Sequence, residues 1–438
     1  MEPVKVGLLG LGTVGGGTVS VLTANAAEIA RRAGRGIDIA HAAAREYRPE
    51  TIRGLDRIGR IGDDAFALVE DPEIQIVIEL IGGYSPAREL VLRAIENGKH
   101  VVTANKALIA KHGNEIFAAA RAHGVVVGFE AAVAGGIPII KALREGLAAN
   151  HIEWIAGIIN GTGNFILSEM RDKGRDFSEV LAEAQTLGYA EADPTFDIEG
   201  IDAAHKLTIL GSLAFGIPLQ FERCFIEGIS GIETQDVVYA AELGYRIKHL
   251  GIARRSDCGI ELRVHPTLIP ERRLLANVNG VMNAVLVKGD AVGPTLYYGA
   301  GAGALPTASA VVADLVDVVR TLTTDPNNRV PHLAFQPDEL ADTPVLGMEE
   351  VETAYYLRLS ALDQPGVMAR IASILGEQGI SIEAIKQKEP AEGETHVHLV
   401  MLTHRVLEGR MQEALARIEA LDSVQGSVVR IRMETLSG

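Results

Sequence analysis

The sequence predicts a mixed α/β chain of several domains that opens on a doubly wound parallel sheet. Three observations predict it. Short, nearly continuous apolar runs alternate with helical stretches over the first third of the chain. A glycine-rich turn follows the first of those runs and opens a helix. Beyond a stretch rich in Pro, Asp and Asn, the texture changes to strands and helices in the order β-α-β-β-α-β.

Size and charge bound the rest. A chain of 438 residues that is 47% hydrophobic and 22% charged corresponds to about two to four globular units. Lys and Arg total 41 against 57 Asp and Glu, a net charge of −16. No broad basic surface is therefore available to neutralise phosphates, which argues against a nucleic-acid partner. No run reaches the roughly 18 apolar residues of a membrane helix, and the chain starts on a strand rather than a signal segment. The expected setting is cytoplasmic, with no membrane partner. Cys224 and Cys258 are too few and too far apart for a disulfide scaffold or a CxxC metal cage.

Val4–Leu9 reads as a strand and runs into Gly10-Leu11-Gly12-Thr13-Val14-Gly15, with Val19, Leu22, Ala26 and Ile29 on one face of the helix that follows. In this context each glycine has its own task. Gly10 permits the tight turn, Gly12 lets backbone approach a pyrophosphate, and Gly15 lets helix and strand pack closely. The unit reads as a Rossmann-type dinucleotide site, with cofactor contacts from Gly10, Gly12, Thr13, Val14 and Gly15. Gly36–Ala44 is the second strand, whose end meets the adenosine ribose. Arg45 stands where an NAD-selective site carries an acid, and a guanidinium pairs with a 2′-phosphate, so the expected cofactor is NADP, with NAD as the alternative. Arg53, Arg57 and Arg60 read as solvated loop charges.

Ile74–Ile81 is a strand buried on both faces, and it places Gly82-Gly83 at the carboxyl edge of the sheet, where Gly82 would meet the cofactor. His100–Thr103 is another, and it leads to Lys106, which either points into the crevice where strand meets helix or is a surface lysine at the start of a helix. Val125–Phe129 is followed by Glu130 and a run of small residues to Pro138, whose carbonyls could coordinate a cation alongside Glu130.

A helix around Ile139–Ala148, a strand at Trp154–Ile159 and a polar turn, Asn160-Gly161-Thr162-Gly163-Asn164, come next. The turn suits ligand contact better than core packing. A helix over Ser178–Leu187 stops at Gly188. Five acids, Glu191, Asp193, Asp197, Glu199 and Asp202, then precede Lys206. Asp202 and Lys206 are one helical turn apart and meet on one face. On a surface helix such a pair contributes a few tenths of a kcal/mol. Among so many acids it instead suggests a site for a substrate ammonium or a cation, with a lysine oriented for proton transfer. His205 points about 100° away and packs or is solvated. His41, His100 and His265 lack metal-ligand spacing.

The spacing from Ala184 through Gly188, Asp193-Pro194, Asp197-Ile198, Gly200 and Asp202 to Lys206 resembles the signature of the homoserine dehydrogenases. The glycine turn, Thr103–Lys106, Glu130–Pro138, Asn160–Thr162 and Gly299–Gly303 with Pro306-Thr307 match that family in the same order. The resemblance implies reversible NAD(P)-dependent conversion of L-aspartate 4-semialdehyde and L-homoserine, a step toward threonine, methionine and isoleucine. It implies Lys206 as proton donor, Asp202 as the group that holds it, and Lys106 between nicotinamide and substrate. Glu191 and Asp197, with Gly161 and Thr162, would receive the substrate. Thr103, Ala104, Lys106 and Gly303 would line the nicotinamide end of the cofactor. Glu130 with the main-chain oxygens of Val133, Gly135 and Ile137 would hold a monovalent cation, sodium in the family, in a structural role.

The implied organisation is a nucleotide domain over 1–137, completed by a helix at 305–322, and an inserted α+β catalytic and dimerisation domain over 138–304. The segment Gly299–Pro306 would close over the nicotinamide, and the helix Thr307–Arg320 would return to the nucleotide domain. A linker over 323–350 leads to residues 351–438. There, strands at Ala354–Leu362, Ile380–Glu389, His396–His404 and Val428–Met433 and a helix at Leu407–Leu421 accompany Asp363-Gln364-Pro365-Gly366-Val367, where Pro365 presets the first turn of another helix. This end resembles a ferredoxin-like ACT domain, which implies L-threonine as effector and a homodimer or homotetramer. Two other readings stand beside this one. They are a dehydrogenase of another small amino-acid aldehyde, and a non-catalytic sensor of nucleotide and amino acid, against which the two lysines argue.

Overall fold

The computed structural model describes residues 2–387 and 395–437. Its contacts divide the chain into two compact units: Met1–Gly161 with Asp202–Glu222 and Val281–Thr343, and Thr162–Ile201 with Arg223–Gly280 and Pro344–Gly438.

The first unit is built on strands β1 (Val4–Leu9), β2 (Ile37–Ala43), β3 (Arg60–Gly62), β4 (Ile76–Glu79), β5 (His100–Thr103) and β6 (Val127–Gly128). They lie in the order β3-β2-β1-β4-β5-β6, and every pairing is parallel. This is the Rossmann order, with the crevice at the switch between β1 and β4. All four residues of β4 and of β5 are buried, which is why apolar residues follow one another without alternation at Ile76, Val77 and Ile78 and at Val101 and Val102. The helix Ala304–Thr321 joins the same core, where Val311, Leu315 and Val318 pack with Val4, Val6, Leu8, Ile76 and Ile78. Each such side chain contributes about 1.5–3 kcal/mol by leaving water. The same unit contains an antiparallel set, Ile152–Ile158, Met282–Gly289 and Gly293–Ala300.

In the second unit, Tyr245–Arg255 and Ile260–Pro270 form a long antiparallel hairpin. The last strand, Val424–Met433, runs parallel to its second arm through Thr267 opposite Arg432 and Leu268 opposite Met433. On its other side it pairs with Glu352–Leu362, followed by His396–Thr403 and Ile382–Gln387. The helices Val367–Glu377 and Glu408–Glu419 complete β-α-β-β-α-β, and Ile371, Leu375, Met411 and Ile418 pack on Leu357 and Leu359. The C-terminal strands thus lie in one sheet with the hairpin.

Several expectations are corrected. The helix after Pro138 is α-helical only over Ile139–Lys141 and widens to a π-turn over Ala142–Gly146. The polar segment Asn160–Asn164 is helical from Gly161 onward, and Asn164 is a buried packing residue that donates to the Val278 and Gly280 carbonyls. Gly299–Pro306 is no single loop. Its start ends the strand Gly293–Ala300, and Ala304–Pro306 form the first helical turn, where proline lacks only an N–H the helix would leave unbonded. Pro365 lies before the helix, and Gly366, at φ 91°, is its N-cap. In the segment after Thr324, Ala341 N–H donates to the Gly216 carbonyl and Arg121 pairs with Asp338. Of the strand expected over Ile380–Glu389, residues 388 and 389 lie outside the described residues. Among the described residues no helix is long and apolar enough to cross a membrane.

Candidate active site

The glycine turn after β1 has a distinct physical reason at each position. Gly10 has φ 95°, and a Cβ there would lie 2.8 Å from the Leu80 carbonyl oxygen. A Cβ at Gly15 would lie 2.0 Å from the Gly10 oxygen, so helix and strand could not pack. A Cβ at Gly12 would meet nothing within 4 Å. The protein's own packing makes no demand at that position, and the open space suits close approach of a phosphate to a helix N-terminus. The helix Thr13–Ala24 starts here, with Gly12 as its N-cap. Arg45 is exposed just beyond β2. Gly303, at φ 124°, caps the helix Ala304–Thr321.

Asn105 caps the helix Lys106–Ala122 through a bond from Leu108 N–H to its side-chain oxygen, which puts Lys106 in the first turn. Its Nζ lies 2.8 Å from Asp202 Oδ1. Asp202 and Lys206 lie in the helix Ile201–Phe215, and Lys206 Nζ is 2.6 Å from Asp202 Oδ2. The Lys206 ammonium also donates to the Ile159 carbonyl at 2.7 Å, and Asn160 Nδ2 donates to Asp202 Oδ2 at 2.9 Å. Lys206 is buried, whereas the Lys106 side chain is 34% exposed and within reach of a ligand. Burial alone would raise the Asp202 carboxyl, but Lys206 and then Lys106 outweigh it and hold it well below the usual range. His205 is fully buried, stacked on Phe221, and pushed down to about 4 by burial, so it is a neutral packing residue.

In the second unit, the Thr162 hydroxyl donates to the Tyr189 carbonyl at 2.6 Å and lies 3.3 Å from Asp197 Oδ2. Asp197 is half-buried and Glu191 exposed. Gly161 leaves no room for a side chain, since a Cβ would lie 2.8 Å from the Val281 oxygen. Glu130 is buried. Its two carboxylate oxygens accept from Ile140 and Lys141 N–H, its own N–H donates to Asp314, and burial followed by the Asp314 charge pushes its carboxyl up to about 7. Beside it, Ala134 and Gly135 are both left-handed, at φ 55° and 42°. The Ile137 carbonyl accepts from Ile139 N–H. Among the described residues no group of three or more His, Cys, Asp or Glu could hold a metal ion.

Two groups escaped sequence reasoning. Asn160 reads as a turn residue, and nothing in its neighbours announces a bond to Asp202. Glu79 is fully buried and accepts three hydrogen bonds. The signal for it was a single acid inside the apolar run Ile74–Ile81.

Comparison with known proteins bears on this arrangement. The profile of the homoserine dehydrogenase NAD-binding domain matches residues 10–130, that of homoserine dehydrogenase 138–316, and that of the ACT domain 355–423. A homoserine dehydrogenase of Pseudomonas aeruginosa is 68% identical over 437 residues, covering 100% of both chains. The chain belongs to the homoserine dehydrogenase family. It is an oxidoreductase with NAD-binding, catalytic and ACT domains. The crystal structure of a homoserine dehydrogenase from Thiobacillus denitrificans is 69% identical and superposes at a TM-score of 0.95, covering 100% of this chain and 99% of that one. A hyperthermophilic archaeal homoserine dehydrogenase mutant, itself in complex with NADPH, is 26% identical at a TM-score of 0.61 over 75% of this chain and 100% of that one.

Proposed function

We propose that the chain interconverts L-aspartate 4-semialdehyde and L-homoserine with NADP(H) as the preferred cofactor, on the route to threonine, methionine and isoleucine. One observation carries the reading: two lysines of different helices meet on the two oxygens of one buried carboxylate. A nicotinamide cofactor, held at the carboxyl edge of the sheet, would supply the hydride for the aldehyde carbon. Lys206 gives its proton to the carbonyl oxygen as that oxygen becomes an alkoxide, and its charge stabilises the oxygen until it is protonated. Asp202 holds Lys206 in the ammonium form and fixes its direction. Lys106, partly exposed, binds the substrate from the cofactor side. Glu191 and Asp197, with Thr162 beside Asp197, receive the α-ammonium or hydroxyl group. In the reverse direction Lys206 takes the proton back.

Arg45 binds the 2′-phosphate, and Gly10, Gly12, Thr13, Val14, Gly15, Gly82, Thr103, Ala104 and Gly303 frame the remainder of the cofactor. Glu130 with the carbonyls of Val133, Gly135 and Ile137 would hold a monovalent cation such as sodium. A buried carboxylate next to a second acid, Asp314, favours a positive charge there. The C-terminal domain takes L-threonine as feedback effector, and the enzyme works in the cytoplasm as a homodimer or homotetramer. Initial rates of NADPH and NADH oxidation with aspartate semialdehyde, with and without L-threonine and in sodium against potassium buffers, test these assignments. Absence of turnover with either cofactor removes the catalytic reading.

A further inference from the structure

The carboxyl edge of β4 and β5 is closed by a ring of hydrogen bonds that starts on Glu79. Its Oε1 accepts from the N–H groups of Ile81 at 2.9 Å and Gly82 at 3.2 Å, and its Oε2 accepts from the Thr103 hydroxyl at 2.6 Å. The Thr103 oxygen in turn accepts from Asn105 N–H at 2.9 Å. The Asn105 side-chain amide then donates to the Gly83 carbonyl at 2.7 Å, back on the loop where the ring began. Glu79 is fully buried although Ile81, Gly82 and Gly83 are exposed. Gly82 and Gly83 both have left-handed φ values, 80° and 71°, and a Cβ on either would meet nothing within 4 Å.

A buried carboxylate is costly unless its oxygens are satisfied, and here the donors that satisfy it come from two separate segments. One is the loop that faces open space at the sheet edge. The other is Thr103-Ala104-Asn105, which leads directly to Lys106. The same loop touches the phosphate turn, because a Cβ on Gly10 would strike the Leu80 carbonyl. We infer that Glu79 is a positioning residue for the reaction: it locks the Gly82 loop and the Lys106-bearing segment into one frame, and so sets the nicotinamide position against Lys106. This rests on the reading that the nicotinamide lies at that edge.

The full-length enzyme tests it through steady-state kinetics and thermal unfolding. Glu79→Ala leaves the Ile81 and Gly82 amides without their acceptor. It is expected to raise the cofactor KM about tenfold, equivalent to ~1.4 kcal/mol, and to lower kcat as well. Glu79→Gln keeps an oxygen for the two amides and turns an NH2 toward Thr103. It should return the cofactor KM to within about threefold of the parent, a rescue that loss of bulk stability would not produce. If Glu79→Ala fails to fold, Glu79→Asp, which withdraws the carboxylate by one methylene, should raise the cofactor KM in its place. A folded Glu79→Ala or Glu79→Asp with parental cofactor KM overturns the inference while Gly12→Ala still raises that KM. If Gly12→Ala leaves it unchanged too, the cofactor placement fails and takes the inference with it.

Discussion

Lys106 and Lys206 share one carboxylate, Lys106 Nζ 2.8 Å from Asp202 Oδ1 and Lys206 Nζ 2.6 Å from Oδ2. Two ammonium groups that meet on one carboxylate repel each other, and the charge between them offsets that repulsion. Asp202 therefore has two tasks, neutralising the lysines and keeping both protonated. Lys206→Ala is expected to lower kcat by roughly 10²–10⁴, the range of general acid–base contributions, while the cofactor KM stays within about threefold. Asp202→Asn leaves both lysines but removes the counter-charge, so their pKa values fall. In the direction that consumes the proton, the alkaline loss of activity should move to lower pH. A pH–rate profile with an unmoved alkaline limb contradicts this role.

The glycine turn separates binding from folding. Gly12→Ala adds a methyl group to open space, so the unfolding temperature should hardly change. The cofactor KM should nevertheless rise about tenfold or more, since the backbone can no longer approach the pyrophosphate. Gly15→Ala drives a Cβ to 2.0 Å from the Gly10 oxygen, so the turn itself must deform. That variant should lose several degrees of thermal stability as well as cofactor binding, of the kind a ~1–3 kcal/mol overpacking cost produces. Equal unfolding temperatures for the two variants, read by circular dichroism, contradict the distinction.

What the sequence made legible is what local physics dictates. β4 and β5 are buried on both faces, so Ile76, Val77 and Ile78, and Val101 and Val102, are apolar without alternation and announce a parallel sheet. Asp202 and Lys206 are one helical turn apart, and spacing alone brings them together. The pairing of Lys106 with Asp202 spans 96 positions (202 − 106) and has no local signature. The same holds for the parallel contact of Val424–Met433 with Ile260–Pro270. The latter strand is buried along all eleven residues, including Glu261 and Arg263, so its charges mislead any reading by polarity. Arg263 is buried because Glu434 and Glu261 neutralise it.

Cofactor choice turns on Arg45. It is exposed beyond β2 and has no ion-pair partner among the described residues, so its removal should leave the fold intact. A hydrogen bond to a charged group contributes about 1.5–3 kcal/mol, so Arg45→Ala should raise the NADPH KM roughly 10- to 100-fold. NADH carries no 2′-phosphate, and its KM should change no more than about twofold. Equal losses with both cofactors contradict the 2′-phosphate assignment.

The join between the last strand and the hairpin should be sensitive to acid. Glu434 is buried, and its oxygens accept from Arg254 at 2.8 Å and Arg263 at 2.5 Å. Burial alone would raise its carboxyl, but Arg263 and then Arg254 bring it down to about 2. In an unfolded chain the same group titrates near 4.3, at the ordinary value for glutamate. Folding therefore lowers this pKa, so the stabilisation is complete above the unfolded value and is lost as pH falls through the folded one. A gap of roughly two pKa units corresponds to at most about 3 kcal/mol. Glu434→Gln should be clearly less stable than the parent near about pH 7, because the buried Arg263 and the half-buried Arg254 lose one of their two carboxylate partners and keep only Glu261. The difference in urea midpoint between parent and variant should shrink steadily between about pH 5 and about pH 3. A gap that stays constant over that interval means the Arg254–Glu434–Arg263 cluster does not secure the join.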